Sequence, residues 1–254
     1  MFQTLLPFAA LFLTGLVAGT VNTLAGGGSL LSLPVMIFLG LPATVANGTL
    51  RMAILIQNVG SVWGFGRQGV FEPTLVKRFL PPALLGVVAG TALGVRMGDL
   101  AFQRTLAVVM VLVALWVVWR PPGGTTPSTD PSPGRKGPAG ILLYGGFFLV
   151  GAYGGFIQAG VGFLILALTS AAGLDLVKGN AMKVLLVLCF TPLALLGYAM
   201  AGRVDWAMGL ALGTGSFLGG LMGARLAVLR GHAWIRRVVT LLVVIFAVRL
   251  LLGS

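Results

Sequence analysis

The sequence has little of what soluble enzymes and metalloproteins use: its 254 residues include one cysteine, one histidine and five acidic residues. A single cysteine excludes an internal disulfide framework, and one cysteine with one histidine excludes a Cys/His metal cluster. The sequence also lacks a GxxxxGK[ST] motif, which excludes a P-loop nucleotide site. We therefore predict no enzyme activity, no catalytic residues, no cofactor and no metal site.

Charge is scarce as well, and one sign dominates. Only 9% of the residues are charged and 57% are hydrophobic, with a mean hydropathy of +1.03, whereas soluble domains carry roughly 25% charged residues. The net charge of +12 would suggest a nucleic-acid partner in a soluble protein. In a membrane protein, basic residues in cytoplasmic loops explain it. The composition predicts an all-α, multi-pass membrane protein in contact with the lipid bilayer, and no nucleic-acid partner.

A proline-rich stretch at 120–138 divides the chain. It combines six prolines with glycine, serine and threonine, so it has nothing to bury and is not expected to be helical. The predicted domains are a first transmembrane repeat at 1–119, a linker at 120–138 and a second transmembrane repeat at 139–254.

Five apolar segments are predicted in each half. They cover about 5–24, 28–40, 45–66, 74–96 and 101–119, then about 140–160, 162–173, 178–201, 205–228 and 234–252. A spanning helix needs about 20 residues, so the second segment of each half is too short to cross comfortably. Glycines precede these short segments, at 26–28 and 160–162. Each half is therefore predicted to open with a broken or re-entrant helix.

The two halves share an ordered series of residues. Asn22 corresponds to Gln158 and Asn47 to Asn180. The glycine triplets also correspond, with Gly86, Gly90 and Gly94 falling on Gly215, Gly219 and Gly223. Glycines four residues apart predict close packing between membrane helices, and the whole series predicts an internal duplication.

The distribution of basic residues predicts the topology. If each half crosses the membrane an odd number of times, twelve of the 17 basic residues lie on one side, as the positive-inside rule prefers. The linker is then cytoplasmic and both termini are outside, and the apolar N-terminus, which no basic residue precedes, argues against a cleaved signal peptide. An odd number of crossings also makes the second half upside down. The predicted fold class is therefore two inverted-topology repeats of about five helical segments each, a frequent transporter architecture.

Polar residues near the first break predict an anion site. Gly26, Gly27 and Gly28 precede a short helix that starts near Leu30. A helix N-terminus offers free N–H groups and a partial positive charge of about half a unit, which glycines let an anion approach closely. Ser29 would cap this helix or bind the ligand. The alternative interpretation is a flexible turn capped by serine.

Neutral amides and two cations extend the predicted site. Asn22 and Gln158 either donate to an oxyanion or cap the broken backbone. Arg51 and Lys183 lie inside apolar segments, where cations usually face a cavity, and the alternative is that both snorkel to the interface. No carboxylate falls clearly at mid-membrane, which argues against a cation site. The predicted substrate-binding residues are Asn22, Gly26, Gly27, Gly28, Ser29, Asn47, Thr49, Arg51, Gln57, Gln158, Gly162, Asn180 and Lys183.

Several of these residues also form a family pattern. The glycine-rich break at 25–29, Pro34, the Gly-Leu-Pro turn at 40–42, Asn47 and the Gly-Arg-x-Gly loop at 66–69 resemble the TauE/SafE sulfite exporter family. The second half departs from the pattern, because Gly162-Phe163-Leu164 replaces the Gly-Gly-Gly-Ser run.

The resemblance implies a permease of the bacterial inner membrane for sulfite, sulfonates or related organosulfur anions. Its site elements would be the glycine-rich break and the Asn47 region. We expect alternating access around a site between the repeats. The expected partner is a small anion, and the chain either forms a homodimer or does not. The alternatives are an anion channel, or a membrane subunit of a larger complex without transport of its own.

Overall fold

The computed structural model describes residues 2–71, 73–119 and 138–251, and within these ranges all regular structure is helical. The helices of the first half are α1 (Phe2–Ala25), α2 (Ser29–Phe38), α3 (Ala43–Gly66), α4 (Pro73–Arg96) and α5 (Asp99–Trp119). Those of the second half are α6 (Pro138–Phe156), α7 (Val161–Ala171), α8 (Leu176–Met200) and α9 (Trp206–Leu251).

The first helix of each half is broken where the glycines predicted it. Gly26 has a φ of 89° and Gly160 a φ of 75°, a left-handed backbone that glycine adopts without steric cost. The short helices that follow have 10 and 11 residues. At 1.5 Å per residue each is roughly 15 Å long, about half of a 30 Å hydrocarbon core. The prediction of short second segments after a break is confirmed.

The end of the chain differs from the prediction. Separate segments were expected at about 205–228 and 234–252, whereas α9 is one helix of 46 residues. The intervening residues 229–233 include no proline, so nothing there obliges the backbone to leave the helix. The second half therefore has four described helices rather than five segments. The predicted linker, apart from Pro138 at the start of α6, lies outside the described residues.

Four of the described helices are long and apolar enough to cross a membrane, within Leu6–Ala25, Pro73–Arg96, Leu176–Met200 and Trp206–Leu229. Large apolar side chains on the outside of the helices are exposed, among them Leu142 at 77% and Met200 at 81%. Such a surface is stable in lipid and not in water. The fold is that of a multi-pass membrane protein.

Glycine seams join the halves and reveal the helix directions. A Cβ on Gly15 would overlap the Leu212 carbonyl, and one on Gly219 would overlap the Leu16 carbonyl. Gly223, farther along α9, lies against Thr20 and Thr23, farther along α1, so the two helices run in the same direction. The prediction that the glycine triplets mediate close packing is confirmed.

An equivalent seam joins α4 to α6. A Cβ on Gly86 would overlap the Phe148 carbonyl, and one on Gly90 would overlap the Ala152 carbonyl. These helices also share one direction. Each seam therefore packs the first helix of one half against a glycine-triplet helix of the other.

The central helices α3 and α8 run in opposite directions. Asn47, near the start of α3, bonds to Tyr198 near the end of α8 at 3.0 Å. Asn58, later in α3, borders the same cavity as Lys183, early in α8. This antiparallel pair lies at the centre of the molecule, where both broken helices reach it.

Candidate substrate-binding site

The two helix breaks meet at the centre of the protein. Gly26 and Gly162 pack backbone to backbone, since a Cβ on either would overlap the other. The Gly160 N–H donates to Ser29 Oγ at 2.9 Å. Ser29 therefore links the breaks instead of capping its own helix, for which no side-chain hydrogen bond exists. The N-termini of α2 and α7 therefore lie next to each other.

A small cavity of about 10 Å³ lies at this meeting point. Its volume suits roughly one water molecule. Five of the predicted site residues line it, together with Asn58 and three apolar side chains. The lining residues are Asn22, Ser29, Ile54, Asn58, Gln158, Val161, Gly162, Lys183 and Val187.

Gln158 lines the cavity and carries a donor without a partner. Its Oε1 accepts from Arg51 Nη1 at 3.1 Å and its backbone N–H donates to Asn47 Oδ1 at 3.2 Å. Its Nε2 is buried and has no hydrogen-bond partner among the described residues. A buried polar group left without a partner costs about 1–3 kcal/mol. A ligand with an acceptor oxygen would remove that cost.

Lys183 places a positive charge beside the cavity. Its Nζ donates to the carbonyls of Asn22 and Thr23 at 2.7 and 3.0 Å, and to Asn180 Oδ1 at 2.6 Å. Asn180 Nδ2 donates to the Leu24 carbonyl at 2.8 Å. Lys183 and Asn180, both on α8, thus satisfy the last carbonyls of α1.

Arg51 and Asn47, on α3, do the same for the end of α6. Arg51 donates to the carbonyls of Gly154 at 2.8 Å and Gly155 at 2.7 Å, and its guanidinium lies 4.4 Å from the centre of the Tyr198 ring. Asn47 Nδ2 donates to the Phe156 carbonyl at 3.0 Å. Each half therefore caps the broken helix of the other half.

These contacts decide the electrostatics of the site. Arg51 is 0% and Lys183 2% exposed, so neither side chain snorkels to the interface. Their charges lie against helix C-termini, which carry partial negative charge. The N-termini of α2 and α7 keep their partial positive charge at the cavity.

The remaining predicted residues face protein rather than the cavity. The Phe163 ring covers Gly27, and the Ala18 carbonyl covers Gly28, so the glycine run allows close packing. Gln57 Oε1 accepts from Asn22 Nδ2 at 3.1 Å and supports a residue that lines the cavity. Thr49 points elsewhere, because its Oγ1 accepts from the Asp205 N–H at 2.8 Å.

Tyr198 belongs to this region although it was not among the predicted residues. Its hydroxyl donates to the Phe156 carbonyl at 2.9 Å and accepts from Asn47. The available signal was a tyrosine inside an apolar helix, where a hydroxyl needs a partner. Among the described residues, no group of three or more His, Cys, Asp or Glu side chains is placed to hold a metal ion.

Comparisons with known proteins find one matching family and relatives that span nearly the whole chain. The chain matches the family described as "Sulfite exporter TauE/SafE" over residues 11–250. It is 27% identical over 250 residues to "Probable membrane transporter protein YfcA" of Escherichia coli (strain K12), covering 98% of this chain and 91% of that protein. It is also 27% identical over 247 residues to "Probable membrane transporter protein ORF9" of Sinorhizobium sp, covering 96% and 92%. No solved structure matches.

Proposed function

Because this chain belongs to the TauE/SafE sulfite exporter family and is a membrane transporter, we propose that it carries a small sulfur-containing anion, such as sulfite or a sulfonate, across the bacterial inner membrane. The observation that carries the proposal is the cavity where the two helix breaks meet. It offers an unpartnered amide donor on Gln158 and the charge of Lys183.

The placement of carboxylates supports an anion over a cation. The described lining of the cavity contains no acidic side chain. Asp175 caps α8 by accepting from the Val177 N–H at 2.8 Å, and Asp205 caps α9 by accepting from the Met208 N–H at 2.9 Å. Asp99 accepts from Thr44. These carboxylates lie at helix starts, away from the cavity.

Two inverted repeats are part of the proposal. The directions of the seams support them: α1 runs with α9, α4 runs with α6, and α3 opposes α8. Reciprocal capping across the halves fits a two-fold relation between them. Inverted repeats with broken helices at mid-membrane are typical of carriers that rock one repeat against the other.

The size of the cavity supports alternating access. A volume of about 10 Å³ suits one water molecule and is too small for sulfite, which has four heavy atoms. The packed breaks at Gly26 and Gly162 must therefore separate before a substrate enters. Each half caps the broken helix of the other half. A movement of one half against the other would therefore shift both breaks and open the site.

Gln158→Glu tests the site directly. The substitution keeps an oxygen for Arg51 but replaces the free donor with a negative charge. We expect saturable uptake of [³⁵S]sulfite into proteoliposomes to fall by at least about a hundredfold, since like charges about 4 Å apart repel by roughly 4 kcal/mol at an effective dielectric constant of 20. The control is Gln68→Glu, the same change in the loop after α3, where the Gln68 amide bonds to the Gly64 carbonyl.

The flux assay also separates the alternatives. A carrier gives saturable uptake that sulfite on the opposite side accelerates, whereas a channel gives flux that does not saturate in this way. A subunit without transport of its own gives no flux. The site proposal fails if Gln158→Glu transports as well as the unsubstituted protein.

A further inference from the structure

Three buried polar atoms have no hydrogen-bond partner among the described residues. They are Arg51 Nε, Gln158 Nε2 and Thr191 Oγ1, and all three residues are 0% exposed. Unsatisfied buried groups are rare in native proteins, and each calls for an explanation. Two of them belong to side chains that touch, since Arg51 Nη1 bonds to Gln158 Oε1 at 3.1 Å.

The helical register places Thr191 on the face of α8 that meets Arg51 through Tyr198. With 3.6 residues per turn, positions 183, 187, 191, 194 and 198 of α8 share one face. On that face, Val187 lines the cavity with Gln158. Farther along it, the Tyr198 ring packs under the Arg51 guanidinium. Thr191 lies between these two contacts.

The residues of α3 that face α8 lead to the same placement of Thr191. Ile54 of α3 lines the cavity opposite Val187, and Arg51 lies about one turn before it. Since α3 and α8 are antiparallel, Arg51 is at the level of α8 that follows Val187, which is the level of Thr191. The three residues with unpartnered atoms therefore lie at one level of the molecule, next to the cavity and on the side of Tyr198.

We propose that Arg51 Nε, Gln158 Nε2 and Thr191 Oγ1 form a second binding position for an oxyanion, about one turn of α8 from the cavity. This inference rests on the proposed function and adds a step to the path. Gln158 serves both positions, because this residue also lines the cavity. The anion passes from one to the other without leaving its donors.

The chemistry of the three groups defines the occupant. Arg51 Nε and Gln158 Nε2 only donate, and the Thr191 hydroxyl can donate as well. The occupant must therefore supply several acceptor atoms, as the oxygens of sulfite or of a sulfonate do. One positive charge without a facing carboxylate favours an anionic occupant over a neutral one.

Thr191→Val separates this role from a role in packing. The hydroxyl has no partner among the described residues, so its replacement by a methyl group of similar shape should not lower the apparent melting temperature in detergent. The anion, however, loses a donor. We expect the KM for [³⁵S]sulfite uptake in proteoliposomes to rise about tenfold. Thr191→Ser, which keeps the hydroxyl, should restore a KM close to that of the unsubstituted protein.

Thr169→Val is the matched control. Thr169 is equally buried, but its hydroxyl bonds to the Leu166 carbonyl at 3.0 Å within its own helix, so its KM should stay unchanged. If the KM of Thr191→Val stays within twofold of the unsubstituted value, the second position is overturned. A position that holds only water would give this result. A drop in melting temperature that parallels the loss of uptake would also overturn it. Absence of saturable uptake in the unsubstituted protein would instead contradict the proposed function.

Discussion

At the scale of single residues, the two buried cations differ in what they touch. Lys183 borders the cavity and is held by three acceptors from α1 and α8. Arg51 does not line the cavity, and its planar guanidinium spans the carbonyls of Gly154, Gly155 and Phe156. Arginine provides a fixed fork of donors that lysine lacks. Arg51 thus holds the end of α6, and Lys183 also places charge at the cavity.

Arg51→Lys should therefore lower stability although the charge is kept. An ammonium cannot reach three carbonyls, Gln158 and the Tyr198 ring together, and hydrogen bonds to charged groups contribute about 1.5–3 kcal/mol each. We expect the apparent melting temperature in detergent to fall by several degrees. The control is Arg104→Lys, the same change at an exposed position of α5, which should leave it unchanged. Equal melting temperatures for both variants would contradict the capping role of Arg51.

The sequence predicted the residue types of the site better than their contacts. Asn22 and Gln158 were predicted from polar groups near the glycine breaks, and Lys183 as a cation inside an apolar segment. All three line the cavity. That Lys183 binds carbonyls of α1, in the other half, was not predictable, because periodicity does not tell which helices face each other across the molecule. The same reason hid Tyr198, whose hydroxyl bonds to Asn47 of α3 and to the Phe156 carbonyl of α6.

At the scale of helices, the seams set how closely the halves approach. The α4–α6 seam brings Gly90 against the carbonyl of Ala152, and Gly151 against the carbonyl of Ala83. Small residues allow such backbone contact in membranes, where packing rather than water exclusion drives helix association. The seams are therefore where a single methyl group has the largest effect.

Gly90→Ala should force α4 and α6 apart. The added methyl would overlap the Ala152 carbonyl, and overpacking of this kind costs about 1–3 kcal/mol. Gly145→Ala is the control, since a Cβ there meets no atom within 4 Å and alanine favours the helix by about 0.5–1 kcal/mol. Thermal denaturation in detergent should show a loss for the first variant and no loss for the second. If Gly90→Ala is as stable as the unsubstituted protein, α4 and α6 accommodate the added methyl group and the prediction is wrong.

Helix boundaries were largely predictable because they depend on local chemistry. The predicted segments at 28–40 and 162–173 correspond to α2 and α7, since glycine before and after each one limits the helix. The continuous α9 was not predicted. Its basic residues near 230 suggested a loop, but charge alone does not end a helix when no proline or positive-φ residue is present.

At the scale of the whole molecule, the halves hold each other. Asn47 and Arg51 of α3 cap α6, while Asn180 and Lys183 of α8 cap α1. Each break thus receives side-chain donors from the other half, and Tyr198 adds one to Phe156 from within the second half. This exchange supports the proposed inverted repeats. A two-fold relation between the halves would produce both caps from a single arrangement.

Cysteine labelling tests the inverted repeats. Under the proposed topology, the start of α4 and the end of α8 lie on opposite sides of the membrane. In a Cys189→Ser background, chosen because Cys189 is exposed, Thr74→Cys should react with an impermeant maleimide only from the cytoplasmic side. Ala201→Cys should react only from the outer side. Labelling of both positions from one side would rule out the inverted arrangement.

The reciprocal caps also impose an order on biosynthesis. When the first half has been synthesised, the last carbonyls of α1 still lack Asn180 and Lys183, which the ribosome has not yet produced. Until α8 has entered the bilayer, that end of α1 can be satisfied only by water or by a temporary neighbour. The first break is therefore completed only after α8 has been made, and quality control of the newly made protein would meet it unprotected until then.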